Sequence, residues 1–423
     1  MKAKWTGNAA SRIRNWILVL CCATGLLVAA DRTAGQTTTT APQTAPYAAA
    51  SENADRQAKE WLARGIAGVA LAVAVDGKIV YSEGFGFADL EERVPVWPTT
   101  KFRIGSISKP LTATALMQLV EAGKIDLDAP VQRYVPSFPD KGAVITVRMV
   151  AGHLGGIRHY QGDEFTIQKH YGSVLEGLKI FENDPLVSPP GTKFNYSSYG
   201  YNLLSAVIES ASGEDFLSYM QGHVFTPMGL VHTVADQNVQ IVEQRSRFYE
   251  LAKDGHQENA PYVDNSYKWA GGGFLSTAED LVRFGSSLLQ PGFLKADSLK
   301  QLFTSQKTTS GEPTGYGIGW GIQSGPGQII YGHAGGSVGG TSQLLIYPET
   351  HVVIALVTNL SNGDWKREEV EAVAEKFTAG QIGIGGTVTR PPLPHHPTCG
   401  SASGGSEGYA SPSKSWGRPR EAK

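Results

Sequence analysis

The sequence predicts an α+β fold, in which an antiparallel sheet flanked by helices joins a mostly helical lobe. Two observations predict it: strand patterns lie near both ends of the folded region, and helix patterns lie between them. Strands from both ends of a chain that share one sheet enclose the segment that folds between them. We therefore expect a sheet lobe over about 51–104 and 270–382 and a helical lobe over about 105–269, with a site at their junction.

The first two strands are expected to form a hairpin. Residues 68–75 are a continuous apolar run rich in valine and alanine, which is typical of a buried strand. Asp76-Gly77 follows, and an Asp-Gly pair between two strand patterns is a strong signal for a two-residue hairpin turn. Residues 78–86 then return as the second strand.

Helices are expected in the middle of the chain and again after it. Apolar residues at helical spacing favour three helices, over 106–121, 199–212 and 215–223. Ser276 and Glu279 have the spacing of a capping box, in which each side chain satisfies a backbone N–H of the first turn. This pair predicts a further helix that continues through Leu289.

Strand patterns return late in the chain. Short, turn-separated runs rich in isoleucine, valine and aromatic residues predict an antiparallel meander over 315–323, 328–331, 343–347 and 352–359. A closing helix follows Asp364, its predicted N-cap, because apolar residues recur at helical spacing from Val370 to Phe377.

Residues 1–30 have the pattern of an export signal. A basic front without acidic residues precedes a mostly apolar run from Trp16 to Ala30. That run is too short to cross about 30 Å of hydrocarbon as a helix. Cleavage after Ala30 would give an exported protein, periplasmic or secreted, without stable membrane insertion. An uncleaved segment that tethers the protein to a membrane is the alternative.

Two further segments flank the folded domain. Residues 31–50 are mostly Thr, Ala, Pro and Gln, which predicts a flexible linker. Residues 383–423 are rich in Pro, Gly, Ser and basic residues, a composition that buries too little apolar surface to offset the entropy of ordering. We therefore expect a disordered tail there and one folded domain over 51–382.

The composition excludes several classes of function. The 423 residues include 37 Lys and Arg against 39 Asp and Glu, without the clustered basic residues that nucleic-acid binding requires. The cysteines, Cys21, Cys22 and Cys399, all lie near the termini. The domain therefore has neither a disulfide framework nor a thiolate metal site.

Ser106 and Lys109 form a Ser-x-x-Lys motif at the start of a predicted helix. Residues three apart share a helix face, so the lysine amine can lie beside the serine hydroxyl. Desolvation would favour the neutral amine, which could then accept the serine proton near neutral pH. The alternative is that Ser106 caps the helix and Lys109 is solvated, since Ser411 and Lys414 form the same motif in the predicted tail.

Two further motifs lie downstream. Tyr196, in Tyr196-Ser197-Ser198, precedes a predicted helix and carries a phenol that could relay a proton to a leaving group. His333 opens His333-Ala334-Gly335-Gly336, where an imidazole would titrate near neutral pH and the glycines would let a substrate approach backbone N–H groups. Each has a structural alternative: an aromatic residue in a turn, and a histidine at a strand end.

In this order, the three motifs resemble those of the beta-lactamase-like, penicillin-recognising serine hydrolases: Ser-x-x-Lys, then Tyr-x-Asn or Tyr-x-Ser, then Lys-x-Gly or His-x-Gly. The resemblance covers about residues 68–377. Segments 157–160 and 261–273 resemble the mitochondrial serine beta-lactamase-like members of that family. The resemblance implies a beta-lactamase/transpeptidase-like fold.

The same resemblance implies the chemistry. Ser106 would be the nucleophile that forms an acyl-enzyme, with Lys109 as its base and Tyr196 as the proton relay. The backbone N–H groups of Ser106 and Gly336 would form the oxyanion hole. No cofactor is implied.

The sequence departs from the lactamase pattern at two of these positions. His333 replaces a lysine, so no permanent cation awaits a substrate carboxylate. Ser198 replaces an asparagine whose amide would hold the acylamino side chain of a substrate. We assign Ser198, Gly335 and Gly336 to substrate binding and the oxyanion site. Amides, peptides and esters are therefore as plausible as lactams among small-molecule or peptide substrates.

Three alternatives remain. Gly335-Gly336-Ser337-Val338-Gly339 matches the nucleophile elbow of α/β hydrolases, but a strand is predicted to follow it where the elbow needs a helix. A metal site would have to draw on His153, His159 and His170, which lack a ligand spacing. A non-catalytic, penicillin-binding-like or ligand-binding module could share the fold, but it would not need all three catalytic residues. No pattern in the sequence indicates an oligomeric state.

Overall fold

The computed structural model describes residues 45–325 and 328–382. Its strands, in chain order, are β1 (Gly68–Val75), β2 (Lys78–Asp89), β3 (Val94–Pro95), β4 (Phe102–Arg103), β5 (Val234–Ala235), β6 (Tyr249–Leu251), β7 (Gln257–Asn259), β8 (Phe274–Ser276), β9 (Gly321–Gly325), β10 (Gln328–Ser337), β11 (Gly340–Tyr347) and β12 (Val352–Thr358). Its α-helices are α1 (Ala48–Ala63), α2 (Ser108–Glu121), α3 (Val147–Ala151), α4 (Val174–Leu178), α5 (Ser198–Ser212), α6 (Phe216–Tyr219), α7 (Trp269–Gly272), α8 (Ala278–Ser287), α9 (Ala296–Leu302) and α10 (Arg367–Ile382).

The main sheet has seven strands in the order β3-β2-β1-β12-β11-β10-β9, and each neighbouring pair is antiparallel. Strands from the two ends of the domain meet at its centre, where β1 pairs with β12. Strands β4, β8 and β5 form a second, smaller sheet, and β6 pairs with β7. The α+β class and the antiparallel sheet predicted from the sequence are confirmed.

Side chains of β1 alternate between two hydrophobic cores. The odd-numbered residues from Val69 to Val75 lie in one core with apolar side chains of α1 and α10. The even-numbered residues from Ala70 to Ala74 lie in the other core, which includes α8 and the helices of the helical lobe. Because both faces of the sheet are covered, the strand is apolar throughout instead of alternating.

The hairpin between β1 and β2 forms where the sequence predicts it. Asp76 and Gly77 have φ values of 49° and 76°. A two-residue turn that matches the twist of its strands needs positive φ at both positions, and glycine adopts such a value without steric cost.

Helices α1 and α10 are tied together by the carboxylate of Glu369. Trp61 Nε1 and Arg64 Nη2 each donate to its Oε2 at 2.9 Å. Beneath this contact, Trp61 and Phe377 are fully buried against the sheet. The two ends of the domain therefore pack on each other as well as on the sheet.

Helices α2 and α5 form the centre of the helical lobe. Both are buried along most of their length, and both contact the short helix α7. Their N-terminal ends carry Lys109 and Ser198. The packing of three helix ends at one place creates the setting for the site.

Several predicted boundaries are wrong by a few residues. Helix α1 begins at Ala48, inside the predicted linker, because Ala50 is buried against the domain. Strand β9 begins at Gly321, six residues later than expected. Thr277, not Ser276, caps α8 by accepting from the Asp280 N–H, and α8 ends at Ser287.

Two further boundaries also differ from the prediction. Helix α10 begins at Arg367, so Asp364 is not its N-cap. Within the first turn, Glu369 accepts from the Lys366 N–H instead. The helix predicted from Ser106 begins at Ser108, after a 3₁₀ turn over Gly105–Ile107.

In the part of the chain that the structure describes, no helix is long and apolar enough to cross a membrane. The predicted signal peptide (1–30), residues 31–44 of the predicted linker and the predicted tail (383–423) lie outside the described residues.

Candidate active site

A single 3₁₀ turn carries Ser106 between β4 and α2. Gly105, the first residue of this turn, has a φ of 49°, and a Cβ at that position would lie 2.5 Å from the Gly336 carbonyl oxygen. Only glycine allows the turn to approach β10 so closely. The side chain of Ser106 is half-buried and does not cap α2, so the alternative role as a helix cap is wrong.

Lys109 is fully buried next to this serine. Its Nζ lies 2.9 Å from Ser106 Oγ, 3.0 Å from Ser198 Oγ and 2.6 Å from the Gly271 carbonyl oxygen. None of these partners is a carboxylate. Burial, together with the charge of Lys268, lowers the pKa of Lys109 well below its usual value.

These three partners match the hydrogen-bonding capacity of a neutral amine. A neutral Lys109 has two N–H donors, for the Gly271 carbonyl and Ser198 Oγ, and one lone pair, which can accept the Ser106 O–H. The contacts therefore leave the lysine able to take a proton from the serine.

Tyr196 covers this pair from the other side. The Lys109 Nζ lies 4.8 Å from the centre of its ring, and its phenol hydrogen-bonds to Ser106 and Ser198. Burial raises the pKa of Tyr196 above its usual range, so the phenol keeps its proton at neutral pH. The group can thus give a proton to a neighbour and regain it from another.

Two histidines hold the backbone of the segment that carries Tyr196. His153 Nδ1 accepts from the Ser197 N–H, and His159 Nδ1 accepts from the Ser198 N–H, both at 3.2 Å. Burial and the charge of Lys109 lower the pKa of His153 well below its usual value and that of His159 to about 3. Both rings are therefore neutral, with their protons on Nε2.

His333 is buried at the edge of the site and bound on both ring nitrogens. Its Nδ1 donates to the Ala334 carbonyl at 2.6 Å, so its Nε2, without a proton, accepts from the Tyr316 hydroxyl at 3.0 Å. Burial and the charge of Lys109 lower the pKa of His333 to about 3. The expectation that this imidazole titrates near neutral pH is wrong, because its burial favours the uncharged form.

The two glycines of the third motif differ in their surroundings. A Cβ on Gly335 would lie 2.0 Å from the Ile104 carbonyl oxygen, so this residue is packed against the chain that leads to Ser106. Gly336 is exposed, and a Cβ there would meet no atom within 4 Å. Strand β9 pairs with β10 only as far as Gly332. At Gly336, β11 is therefore the remaining sheet neighbour of β10 among the described residues.

Ser198 lies deeper than its predicted role requires. It is 3% exposed, and its Oγ faces Lys109 and the phenols of Tyr196 and Tyr160. These contacts place the hydroxyl within the polar cluster around the lysine.

The alternatives from the sequence can now be weighed. Ser337 ends β10 and a hairpin leads directly into β11, so it lacks the following helix of a nucleophile elbow. His153 and His159 bind backbone N–H groups, while His170 pairs with Asp264 at 3.1 Å. Within the described residues, no group of three or more His, Cys, Asp or Glu is arranged to hold a metal ion.

Comparison with known proteins decides the family. The family model described as Beta-lactamase matches residues 46–377, which is most of the chain. This chain belongs to the beta-lactamase family. The fold and resemblance predicted from the motifs are thereby confirmed, and the protein is a member of a family of serine hydrolases.

Relatives of this beta-lactamase family member are found among named proteins and solved structures. The human serine beta-lactamase-like protein LACTB, mitochondrial, is 36% identical over 67% of this chain and 69% of its own. The octameric penicillin-binding protein homologue from Pyrococcus abyssi is 27% identical, with a TM-score of 0.67 over 78% of this chain and 77% of its own. The D-amino acid amidase from Ochrobactrum anthropi SV3 is 25% identical, with a TM-score of 0.65 over 79% of this chain and 98% of its own.

Sequence reasoning missed three residues of the site of this beta-lactamase family member. Gly271 supplies the carbonyl that binds Lys109, and Tyr316 supplies the hydroxyl that binds His333. Lys268, three residues before Gly271, is also buried. A single cation between Tyr267 and Trp269, beside a glycine run, was the one signal that the sequence offered for Lys268.

Proposed function

We propose that this protein is a serine hydrolase that forms an acyl-enzyme on Ser106, with Lys109 as the base. One observation carries the proposal: a fully buried lysine amine without a carboxylate partner lies 2.9 Å from the hydroxyl of a half-buried serine. Activation of a serine by an adjacent base is the basis of nucleophilic catalysis, and a lowered lysine pKa suits that role. Burying a lysine without a counter-charge costs stability, so a structural role alone does not account for this arrangement.

The contacts support the following reaction. Ser106 Oγ adds to the carbonyl carbon of the substrate while its proton passes to Lys109, and the carbonyl oxygen becomes an oxyanion. The N–H groups of Ser106 and Gly336 stabilise that charge. The bond to the leaving group then breaks as the leaving group takes the proton of Tyr196, and Lys109 returns a proton to Tyr196 through Ser198. Water, deprotonated by Lys109, finally adds to the carbonyl carbon of the acyl-enzyme. The bond from that carbon to Ser106 Oγ then breaks, the carboxylic acid leaves, and Lys109 returns the proton to Ser106 Oγ.

We infer that the substrates carry an amide, peptide, lactam or ester bond and no carboxylate next to it. His333 supports this inference, because a neutral imidazole bound to Tyr316 offers no charge to such a carboxylate. The likeness to a D-amino acid amidase supports small amides as substrates to test first.

We also propose that the protein is exported, as its N-terminal pattern predicts. Fractionation of cells together with N-terminal sequencing of the mature protein tests this. A mature N-terminus after Ala30 in the exported fraction would agree with it, and retention of Met1 in the membrane fraction would support the tethered alternative.

The experiment that tests the catalytic proposal is intact-mass analysis after exposure to a fluorophosphonate and, separately, to a penicillin. We expect the fluorophosphonate to label Ser106. The Ser106→Ala variant should not be labelled, and its kcat for an activated ester should fall by a factor on the order of 10⁶. Ser411→Ala, which removes the matching Ser-x-x-Lys serine of the tail, is the control and should behave as the wild type.

The outcomes separate the candidates. Full ester turnover by a folded Ser106→Ala variant would refute the assignment of the nucleophile. Penicillin binding without a covalent adduct, and without ester turnover by the wild type, would instead indicate a non-catalytic binding module. Labelling by penicillin as well as by the fluorophosphonate would show that the site accepts a lactam with a neighbouring carboxylate, and would contradict the inference that substrates lack that carboxylate.

A further inference from the structure

Lys268 is a second buried lysine close to the site. It ends the 3₁₀ turn Ser266–Lys268, which leads directly into α7, and it is 2% exposed. Three residues later, the Gly271 carbonyl accepts the 2.6 Å hydrogen bond from Lys109. This short segment therefore carries both a hydrogen-bond partner of Lys109, the proposed base, and a second lysine.

The surroundings of the Lys268 ammonium are aromatic. Its Nζ lies 4.5 Å from the centre of the Phe165 ring, 5.3 Å from that of Tyr267 and 5.9 Å from that of Tyr160. Within the described residues, its Nζ takes part in neither an ion pair nor a hydrogen bond. Ring faces attract a cation without offering it a counter-charge, so the positive charge remains uncompensated at this place.

The charged groups around this enclosure are already paired. Arg103 and Asp236 form a 2.6 Å ion pair with both side chains buried. The Glu164 carboxylate, on the segment that carries Phe165, binds Arg158 at 2.7 Å. The groups left to feel the charge of Lys268 are Lys109 and His159, and it lowers the pKa of both.

Burial lowers the pKa of Lys268 itself to about 7, and the charge of Arg103 adds to this effect while that of Asp236 opposes it. Two buried ammonium groups close to each other repel, so the pair holds one proton more readily than two. The aromatic enclosure favours Lys268 as the holder of that proton, because ring faces stabilise an ammonium but offer a neutral amine no hydrogen-bond partner of ordinary strength. Lys109 also lies near two rings, 4.8 Å from the centre of Tyr196 and 5.6 Å from that of Tyr201, but its hydroxyl and carbonyl partners satisfy a neutral amine in full.

We propose that Lys268 is a positioning residue that acts through Lys109: its ring-enclosed, unpaired ammonium keeps the Lys109 amine in the neutral form that accepts the Ser106 proton. The inference rests on the proposed function, in which Lys109 is the base. It assigns to Lys268 no contact with the substrate. It predicts that loss of the Lys268 charge makes Lys109 harder to deprotonate.

The test is the rate of Ser106 labelling by a fluorophosphonate as a function of pH. In Lys268→Met, the acidic limb of the profile should move to higher pH, so that labelling on that limb slows about tenfold while the plateau at high pH is retained. Lys268→Arg, which keeps a cation, should return the limb towards its wild-type position. Lys101→Met is the matched control, because Lys101 is also buried but donates to the Glu243 carbonyl, and its charge does not contribute to the lowered pKa of Lys109.

A uniform loss of rate with an unmoved limb would overturn the inference, because a merely structural role predicts that result. If Lys268→Met does not fold, Lys268→Gln replaces it as the uncharged variant. Titration of the Lys109 amine by ¹⁵N NMR measures the same pKa without catalysis. An equal Lys109 pKa in wild type and uncharged variant overturns the inference, whereas absence of Ser106 labelling in the wild type refutes the proposed function.

Discussion

At the residue scale, two buried basic side chains beside the turn that carries Ser106 have opposite surroundings. Arg103 donates from Nε to Asp236 Oδ2 at 2.6 Å, so its charge is compensated. Lys109 has hydroxyl and carbonyl partners only. A buried charge without a counter-charge costs several kcal/mol, and a lysine avoids that cost by releasing its proton. The difference supports a structural role for Arg103 and the proposed role of Lys109 as the base.

The first prediction concerns His333. Because its pKa is lowered to about 3, the ring stays neutral from acid pH upwards and neither limb of a pH–rate profile between 5 and 9 belongs to it. We expect His333→Gln to leave both limbs in place. Its kcat should fall by less than the roughly 10²-fold or more that loss of a general acid causes. Hydrolysis of a neutral ester across that pH range measures both. Disappearance of one limb would show that His333 does exchange a proton during turnover.

The second prediction concerns the two adjacent glycines. A Cβ on Gly335 would collide with the Ile104 carbonyl, so Gly335→Ala should cost about 1–3 kcal/mol of stability and displace the Ser106 turn. A Cβ on Gly336 would meet no protein atom, so Gly336→Ala should unfold at the wild-type urea concentration. Urea unfolding followed by fluorescence measures both variants. Equal stabilities would contradict the close approach of β10 to the turn that carries Ser106.

At the element scale, the short-range features could be predicted and the long-range ones could not. The Ser106–Lys109 contact follows from a spacing of three residues in a helical segment, and the β1–β2 turn follows from Asp76-Gly77. The contact of Tyr316 with His333 joins separate elements, and no spacing rule connects them. The low pKa of His333 also results from burial, which composition alone does not reveal.

The predicted cap of α8 is wrong for a different reason. Ser276 and Thr277 are neighbours of equal capping ability, and the choice between them depends on tertiary contacts. Ser276 Oγ pairs with the Thr233 hydroxyl at 2.8 Å, which leaves Thr277 to cap α8. Local patterns therefore predict that a helix starts here but not at which residue.

The third prediction concerns the packing of α10. Phe377 is fully buried against the sheet and stacks on Tyr47 with ring centres 5.8 Å apart. Phe377→Ala should cost about 3–5 kcal/mol in the free energy of unfolding. Its cluster is separate from the one that contains the helices of the site, so the rate of Ser106 labelling should not change.

Urea unfolding and fluorophosphonate labelling together check this prediction. Lys376→Ala, at the exposed neighbouring position, should stay within about 0.5 kcal/mol of the wild type. A large loss of labelling in folded Phe377→Ala would show that α10 is coupled to the site through the sheet.

At the scale of the whole molecule, the buried basic groups of the site lower the free energy of unfolding. The site contains two lysines and three histidines whose pKa values are lowered by burial. In the unfolded chain each of these groups regains its ordinary proton affinity. The unfolded state therefore binds more protons than the folded state, and stability contributed by these groups rises with pH.

The last prediction uses Lys268 to measure this cost in stability. Its pKa is about 7 in the folded protein against 10.5 for a free lysine, so between these values the unfolded chain binds one more proton at this residue. Wild-type stability should gain about 1.4 kcal/mol per pH unit from Lys268 over that window. Lys268→Met lacks this contribution, so its advantage over the wild type should be largest at pH 7 and shrink towards pH 10.

Urea unfolding at pH 7, 8, 9 and 10 measures the difference between the two proteins, and Lys376→Met is the control. Lys376 is exposed, so its removal should change the free energy of unfolding by no more than about 0.5 kcal/mol. If the difference between wild type and Lys268→Met is constant with pH, the substitution has changed packing alone and the folded pKa of Lys268 is not lowered. A difference that shrinks with pH instead shows that the fold lowers the pKa of Lys268, so that its buried ammonium costs stability at pH 7 and the cost disappears as the pH rises towards the pKa of the unfolded chain.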